Sequence, residues 1–369
     1  MKIKIKNSKI SSKFYVKNIK RKIRKIFKNV HSRKKRQKHK IHEAKEIYFA
    51  SRLNFEKDID GILEIAPEID EYLKISRNHK ILLNHSRIND ISIGALLYLV
   101  GQISRINKVL KVSRQAGLKY RDDLGINANN EKIKYLFYKI GYWKYFGINN
   151  RPYEISDTSV KDSYFLEIHS SNEWKPELLN KTRAFIEQET DFFQKDYEKI
   201  YQFDDIVKEA MGNSLEHAYP KDFNEVGKDQ KRWWVCGHYD KQENCLDLVF
   251  YDYGVGIRRS MKNNLGEDAE IHLFDKVKDK LKEDADLIEL AINGDLSKYK
   301  NYKERDRGKG LKRFKNFAKE CGYNCELVIV SNKGKYKFCY NHTTKQEQTF
   351  KDKLKREIDG MFIKWRIKL

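Results

Sequence analysis

Cysteine is scarce in this chain and scattered along it. The 369 residues include five, Cys236, Cys245, Cys321, Cys325 and Cys339. An odd, dispersed set makes no disulfide framework, and Cys321-x3-Cys325 lacks the second pair that a zinc site needs. Reduced thiols in a cytosol are the default, so a cytoplasmic protein is expected. No run of eighteen apolar residues exists, and no transmembrane segment is expected. The N-terminus is basic but has no apolar stretch behind it, so it is not read as a secretory signal. No G-x-x-x-x-G-K-S/T pattern occurs, which argues against a P-loop enzyme. Acidic residues are missing from one place in particular: residues 1–40 contain 18 Lys and Arg and no Asp or Glu.

Against these absences stands a chain long enough for two domains, with 40% hydrophobic residues for a core and 35% charged residues for a very polar surface. The net charge is +23, and removing the first 40 residues leaves +5 on the other 329. The chain therefore divides into a nearly balanced body and a basic arm. Blocks such as Lys20–Lys25 and Arg33–Lys40 repel themselves and tend to be disordered, or helical only on binding. Such an arm suits nucleic acid or an acidic surface, through phosphate neutralisation and counterion release. It is equally readable as a solvated tail. Ile3, Ile5, Ile10, Phe14, Ile19, Ile23 and Phe27 leave a membrane-surface helix as a third reading. Heavy use of Lys, Asn and Ile fits an AT-rich bacterial genome.

We divide the chain into an arm over 1–44, a first α/β domain over 45–165 and a second domain over 175–369. In the first domain, residues 80–84 read as a strand, 90–94 as a turn, 95–106 as an amphipathic helix, 108–112 as a strand and 131–145 as an aromatic-rich helix. This order of strand, polar turn, helix and strand resembles a STAS-like domain, the fold of anti-anti-sigma regulators. A serine or threonine at the strand-to-helix turn can be phosphorylated in that family, and Ser92 falls near that position. Ser92 reads better as a residue of a helix N-cap region. The resemblance makes a protein partner for this domain an expectation. Pro152, Pro176 and a polar mixture mark residues 151–176 as the boundary, and residues 175–202 as a helical connector or the first helix of the next domain.

The second domain carries the chemistry. Residues 204–220 read as one helix with an apolar stripe through Ile206, Val207, Ala210, Met211, Ser214 and Leu215. Glu209, Asn213 and His217 sit four apart and stack along another face. An amide oxygen can ligate Mg²⁺, and a carboxylate one turn away can orient or deprotonate an attacking hydroxyl. A pair of strands follows over 231–238 and 245–252, ending in Asp252-Tyr253-Gly254-Val255-Gly256. A carboxylate at a strand end, followed by two spaced glycines, suits a purine amine and close approach of a flat ring. The charged segment 258–305 leads to Arg305-Asp306-Arg307-Gly308-Lys309-Gly310-Leu311. Glycines opening a helix place backbone N–H groups and the helix dipole where phosphate can meet them, with Arg307, Lys309 and Arg313 adding charge. Residues 325–331 and 335–338 read as a hairpin across Asn332-Lys333-Gly334, and 360–367 as a final strand.

E-A-x-x-N-x-x-x-H-A-Y, then D-x-G-x-G, then G-x-G-L, in that order with strands between, resembles the GHKL superfamily of gyrase, heat-shock chaperone, histidine kinase and mismatch-repair ATPases. The resemblance covers 175–369. It implies an α/β fold, a two-layer sandwich of Bergerat type with a mixed sheet, and ATP and Mg²⁺ as cofactors. In that frame Asn213 coordinates Mg²⁺, Asp252 holds the adenine amine, and Gly254 and Gly256 line the adenine pocket. Arg307, Gly308, Lys309 and Gly310 belong to the lid over the phosphates, and Glu209 matches the general base.

There are departures from the pattern. The 258–305 segment is long for a simple lid, and a transducer domain after Leu369 is not expected. His42-Glu43 resembles the start of a phosphoacceptor box, but no Pro follows it. Three functions compete: an ATP-dependent regulatory switch or ATPase, a serine/threonine kinase of anti-sigma type acting on a STAS-like domain, and a nucleic-acid-binding regulator using its arm. A domain that binds nothing is disfavoured because all three motifs keep their polar residues.

Overall fold

The computed structural model describes residues 45–65, 67, 81–113, 130–146, 162–190, 192–193, 196–220, 231–265, 283–294 and 310–368. The basic arm lies outside them, and with it the expectations attached to residues 1–44.

Two short parallel pairs come first. Strands β1 (Lys45–Tyr48) and β2 (Arg52–Leu53) precede helix α1 (Ile59–Leu63), and β3 (Ile81–Asn84) and β4 (Asp90–Ile91) follow it. β1 pairs with β3, and β2 with β4. Helix α2 (Ile93–Ser113) begins at Ser92, whose Oγ accepts the N–H of Ala95 at 3.3 Å and that of Phe55 at 3.1 Å. Ser92 is thus an N-cap. The expected strand at 108–112 is instead the end of α2. No Gly or Pro interrupts residues 102–113, and extending an existing helix by one residue costs far less than starting a new element. Helix α3 (Glu131–Lys139) is capped by Asn130, which accepts the Ile133 N–H at 3.1 Å, and a 3₁₀ turn over Tyr142–Phe146 follows.

β5 (Ser163–Ser171) falls inside the stretch expected to be a boundary. Helix α4 (Pro176–Glu189) starts on its proline, where the missing N–H costs no hydrogen bond. Thr190 is extended and Phe193 takes φ 58°, so the chain breaks before α5 (Tyr197–His217). The expected helices over 175–202 and 204–220 are therefore redrawn. The second starts seven residues earlier, where Asp196 caps Lys199 at 3.3 Å. The remaining elements are β6 (Trp233–Asp240), β7 (Cys245–Asp252), α6 (Gly256–Leu265), α7 (Asp284–Asn293), α8 (Gly310–Glu320), β8 (Asn324–Tyr340) and β9 (Glu347–Lys368).

Five strands make one sheet, in the order β5-β6-β7-β9-β8, and each pairing is antiparallel. The mixed sheet expected from the resemblance is therefore corrected for the described strands. Tight connections at 241–244 and 341–346 force antiparallel neighbours. The expected hairpin at Asn332–Gly334 is also corrected: β8 runs on through it, and Asn332, at φ 53°, makes an irregularity in the pairing with β9.

Strand alternation gives the sheet two faces, and both are covered. Trp233, Val235, Leu248, Phe250, Ile363 and Trp365 pack with Phe185, Ile206, Ala210, Ile288, Phe314 and Phe317 from the helices α4, α5, α7 and α8. Trp234, Cys236, Val249, Tyr251, Val328 and Phe362 join a second core with Phe55, Leu96, Tyr98, Ile103 and Trp143. The expected two layers thus acquire a third, supplied by the described residues between 47 and 143. Contact between these layers is close. Phe55 stacks on Phe362 with ring centroids 3.9 Å apart. A Cβ on Gly101 would come within 2.6 Å of the Tyr251 ring, and Gln102 donates to the Tyr251 hydroxyl at 3.0 Å.

This far face also holds a buried ion network. Arg366 grips Asp247 with two bonds of 2.8 and 2.7 Å, and Lys364, whose side chain is 3% exposed, lies 3.1 Å from Asp247 and pairs with Glu56. Burial alone would raise the Asp247 carboxyl; Lys364 and Arg366 outweigh it and hold it below the usual range.

Candidate functional site

The site is built on the near face, along α5. Ile206, Val207, Ala210, Met211 and Ser214 are buried, as the stripe in the sequence requires, which fixes the rotation of the helix. Glu209 and Asn213 then point towards the start of α8. Gly310, the first residue of α8, is seated so tightly that a Cβ there would collide with the Glu209 carboxylate and lie 3.1 Å from Asn213 Nδ2. A side chain at this position would have to push the Glu209 carboxylate aside. Arg313, one turn further on, donates from Nη1 to Glu209 Oε2 at 2.8 Å. Phe314 and Phe317 anchor the body of α8, with Phe314 edge-on to Trp365 and Phe317 against Phe203 of α5.

Asn213 Nδ2 is buried and has no hydrogen-bond partner among the described residues. An unsatisfied buried amide is costly, and as a donor Nδ2 suits an acceptor such as a phosphate oxygen. The oxygen donors at this point, an amide and a carboxylate, suit Mg²⁺, which usually takes one or two protein ligands and fills its shell with water and phosphate oxygens. No group of three or more His, Cys, Asp or Glu side chains able to hold a metal exists among the described residues. A metal here would depend on oxygens brought by a ligand.

At the other end of α5, Ala218 meets the loop after β7. The Val255 N–H donates to the Ala218 carbonyl at 2.9 Å, and a Cβ on Gly254 would lie 2.5 Å from Ala218 Cβ. Gly256 has φ +73°, a conformation that favours glycine, and is packed against Ser331 and Asn332. Those two side chains accept the N–H groups of Ile257 at 2.8 Å and Arg258 at 3.2 Å. Asp252 shares the near-face side of β7 with Leu248 and Phe250. It is 1% exposed, and its Oδ1 accepts the Gly254 N–H at 3.0 Å. Burial pushes its carboxyl up to about 7, although the N–H groups of Gly254 and Met361 pull the other way. A ligand reaches Asp252 only if the loop around it moves.

Of the residues singled out in the sequence, the fold brings Glu209, Asn213 and Gly310 into one cluster, and Asp252, Gly254 and Gly256 into another. α5 links the two. Arg307, Gly308 and Lys309 lie outside the described residues.

Two contributors escaped the sequence reading. Tyr219 closes the H-A-Y motif. Its hydroxyl donates to the Arg232 carbonyl at 2.5 Å and accepts the N–H groups of Arg232 and Tyr253, each at 3.0 Å. It therefore ties the end of α5 to the start of β6 and to the D-x-G-x-G loop. Its place in the motif was a signal for it. Gly360, at φ +89°, lets β9 pass so close to the Asp252 carbonyl that a Cβ would collide with it. Only its lone position inside a strand pattern hinted at this.

Among the described residues, no helix is long and apolar enough to cross a membrane. No protein-family model matches the chain, and no curated protein matches it.

Proposed function

We propose that residues 175–369 form a Mg²⁺-dependent ATP-binding domain of Bergerat type, acting as an ATP-dependent regulatory switch or ATPase. The observation that carries this is the chaining of the two clusters by α5. Nine residues separate Glu209 from Ala218, roughly 13 Å of helix. That span suits an extended nucleoside triphosphate, with its base at Asp252 and its terminal phosphate near Glu209.

Asp252 accepts the exocyclic amine of the base. Gly254 and Gly256 let the loop close on Ala218 and on Ser331 and Asn332, which sets the backbone beside the base. Asn213 supplies the amide oxygen for the metal, which neutralises phosphate charge when bound. The α8 N-terminus meets the phosphates. Glu209 is the group placed to accept a proton from water. Because α2 and Phe55 grip the strands that carry Asp252 and Met361 from behind, the layer formed by 47–143 is positioned to respond to the nucleotide. Ser92 is held on the opposite face of the sheet by two backbone N–H groups, and no phosphoacceptor is assigned to it.

Calorimetric titration with ATP and Mg²⁺ tests this function. Asn213→Ala is expected to weaken binding about tenfold and to remove its Mg²⁺ dependence. Wild-type protein that binds no nucleotide, or Asn213→Ala that binds with unaltered Mg²⁺ dependence, would contradict it.

A further inference from the structure

Glu209 is held by Arg313, through the 2.8 Å bond to Oε2, and its carboxylate lies against Gly310 at the start of α8, the positive end of that helix. Backbone N–H groups at a helix start, together with an arginine, are the elements proteins use to hold phosphate. α8 has no acidic residue in its first turn and carries Lys312, Arg313 and Lys315 on its early turns. An anion is therefore supplied from a different helix, and that anion is Glu209.

We propose that Glu209 is an internal stand-in for phosphate. The terminal phosphate of an entering nucleoside triphosphate displaces the carboxylate, and Arg313 changes partner from Glu209 to a phosphate oxygen. The carboxylate is released only then. This rests on the nucleotide function above and adds a rule to it, namely that the empty site keeps its candidate base locked. The exchange is expected to favour a triphosphate. The base end of the site is at Asp252, in the loop that packs on Ala218, and Glu209 lies nine residues back from Ala218 along α5, so the last phosphate of a triphosphate reaches further towards Glu209 than that of a diphosphate. The exchange also needs little backbone movement. Phe314 and Phe317 fix α8 in the core, while the Arg313 side chain is 62% exposed and can swing.

The test compares ATP and ADP affinities, both with Mg²⁺, in four proteins. Glu209→Gln removes the stand-in and is expected to tighten ATP about fivefold, and ADP by less. Arg313→Ala is expected to weaken ATP about tenfold and to narrow the ratio of ATP to ADP affinity. Asp205→Asn is the control: it removes the same charge from the same helix, at an exposed side chain paired with Lys208 at 3.0 Å. It is expected to move either affinity by less than about twofold. If Glu209→Gln behaves like Asp205→Asn, or if Arg313→Ala leaves the ratio unaltered while wild-type protein binds both nucleotides, the exchange is overturned and ATP binding stands. Wild-type protein that binds neither nucleotide overturns both.

Discussion

Asp247 and Asp252 are five residues apart on one strand, both buried, and on opposite faces of the sheet. Asp247 faces the layer formed by 47–143, where Lys364 and Arg366 hold it below the ordinary carboxylate range. Asp252 faces α5, has no cationic partner among the described residues, and is pushed up to about 7 by burial. The same residue type on the same strand is neutralised in one place and left uncompensated in the other. A carboxylate with its counter-ions built in is part of the packing. One that is buried without them is expensive, and such groups cluster where a ligand completes the environment. On the far face the Asp247 charge has its counter-ions built in, whereas on the near face, among the described residues, Asp252 has no cationic partner and Asn213 Nδ2 no hydrogen-bond partner.

The largest expected effect comes from breaking that contrast directly. Asp247→Ala leaves Lys364 and Arg366 without their shared partner, and chemical denaturation should show a loss of about 3–5 kcal/mol. Asp252→Asn should cost no stability at pH 8, because the amide oxygen still accepts from Gly254 and a buried charge is removed. It should nevertheless weaken ATP binding. The pH dependence runs in opposite directions for the two groups. Asp252 keeps its proton in the folded state where the unfolded chain has lost it, so its contribution is greatest at low pH and falls as pH rises from about 4 to 7. Asp247 contributes above the ordinary aspartate range, and that contribution is lost as pH falls through its depressed folded value. In Asp252→Asn the decline in stability between about pH 4 and 7 should flatten. An unaltered profile would mean that Asp252 is not the perturbed group.

A smaller effect sharpens the comparison. Tyr219→Phe leaves two N–H groups and a carbonyl without their shared hydroxyl, where the end of α5 meets β6 and the loop after β7. The expected cost is about 1–3 kcal/mol, measured by thermal or denaturant unfolding. ATP affinity should fall with it, since the D-x-G-x-G loop loses its tie to α5. A stability loss with undiminished affinity would show that Tyr219 serves packing alone.

Much of the near face was legible in the sequence. The stripe of Ile206, Val207, Ala210 and Met211 set the rotation of α5, and that rotation places Glu209 and Asn213. The D-x-G-x-G end of β7 and the start of α8 were readable as turn and helix signals. What was not legible depended on partners distant in sequence. β5 was missed because its alternation is interrupted by a bulge between Leu166 and His169. Asn332-Lys333-Gly334 looks like a hairpin turn locally, yet β9 pairs along its whole length and turns it into an irregularity within β8. The antiparallel sheet and its third layer could not be read from periodicity, because Trp234, Tyr251 and Phe362 would look equally at home facing solvent-side helices of their own domain. The Arg313 bond to Glu209 joins residues 104 positions apart and left no local trace.

Backbone hydrogen exchange with and without Mg²⁺ and ATP tests the central claim most directly. Slower exchange is expected at residues 209–219, 252–257 and 310–314, where α5, the loop after β7 and the start of α8 would close on the nucleotide. The Asp247 network should be little affected. Protection confined to the far face, or none at these three segments despite measurable ATP binding, would contradict the assignment of the site.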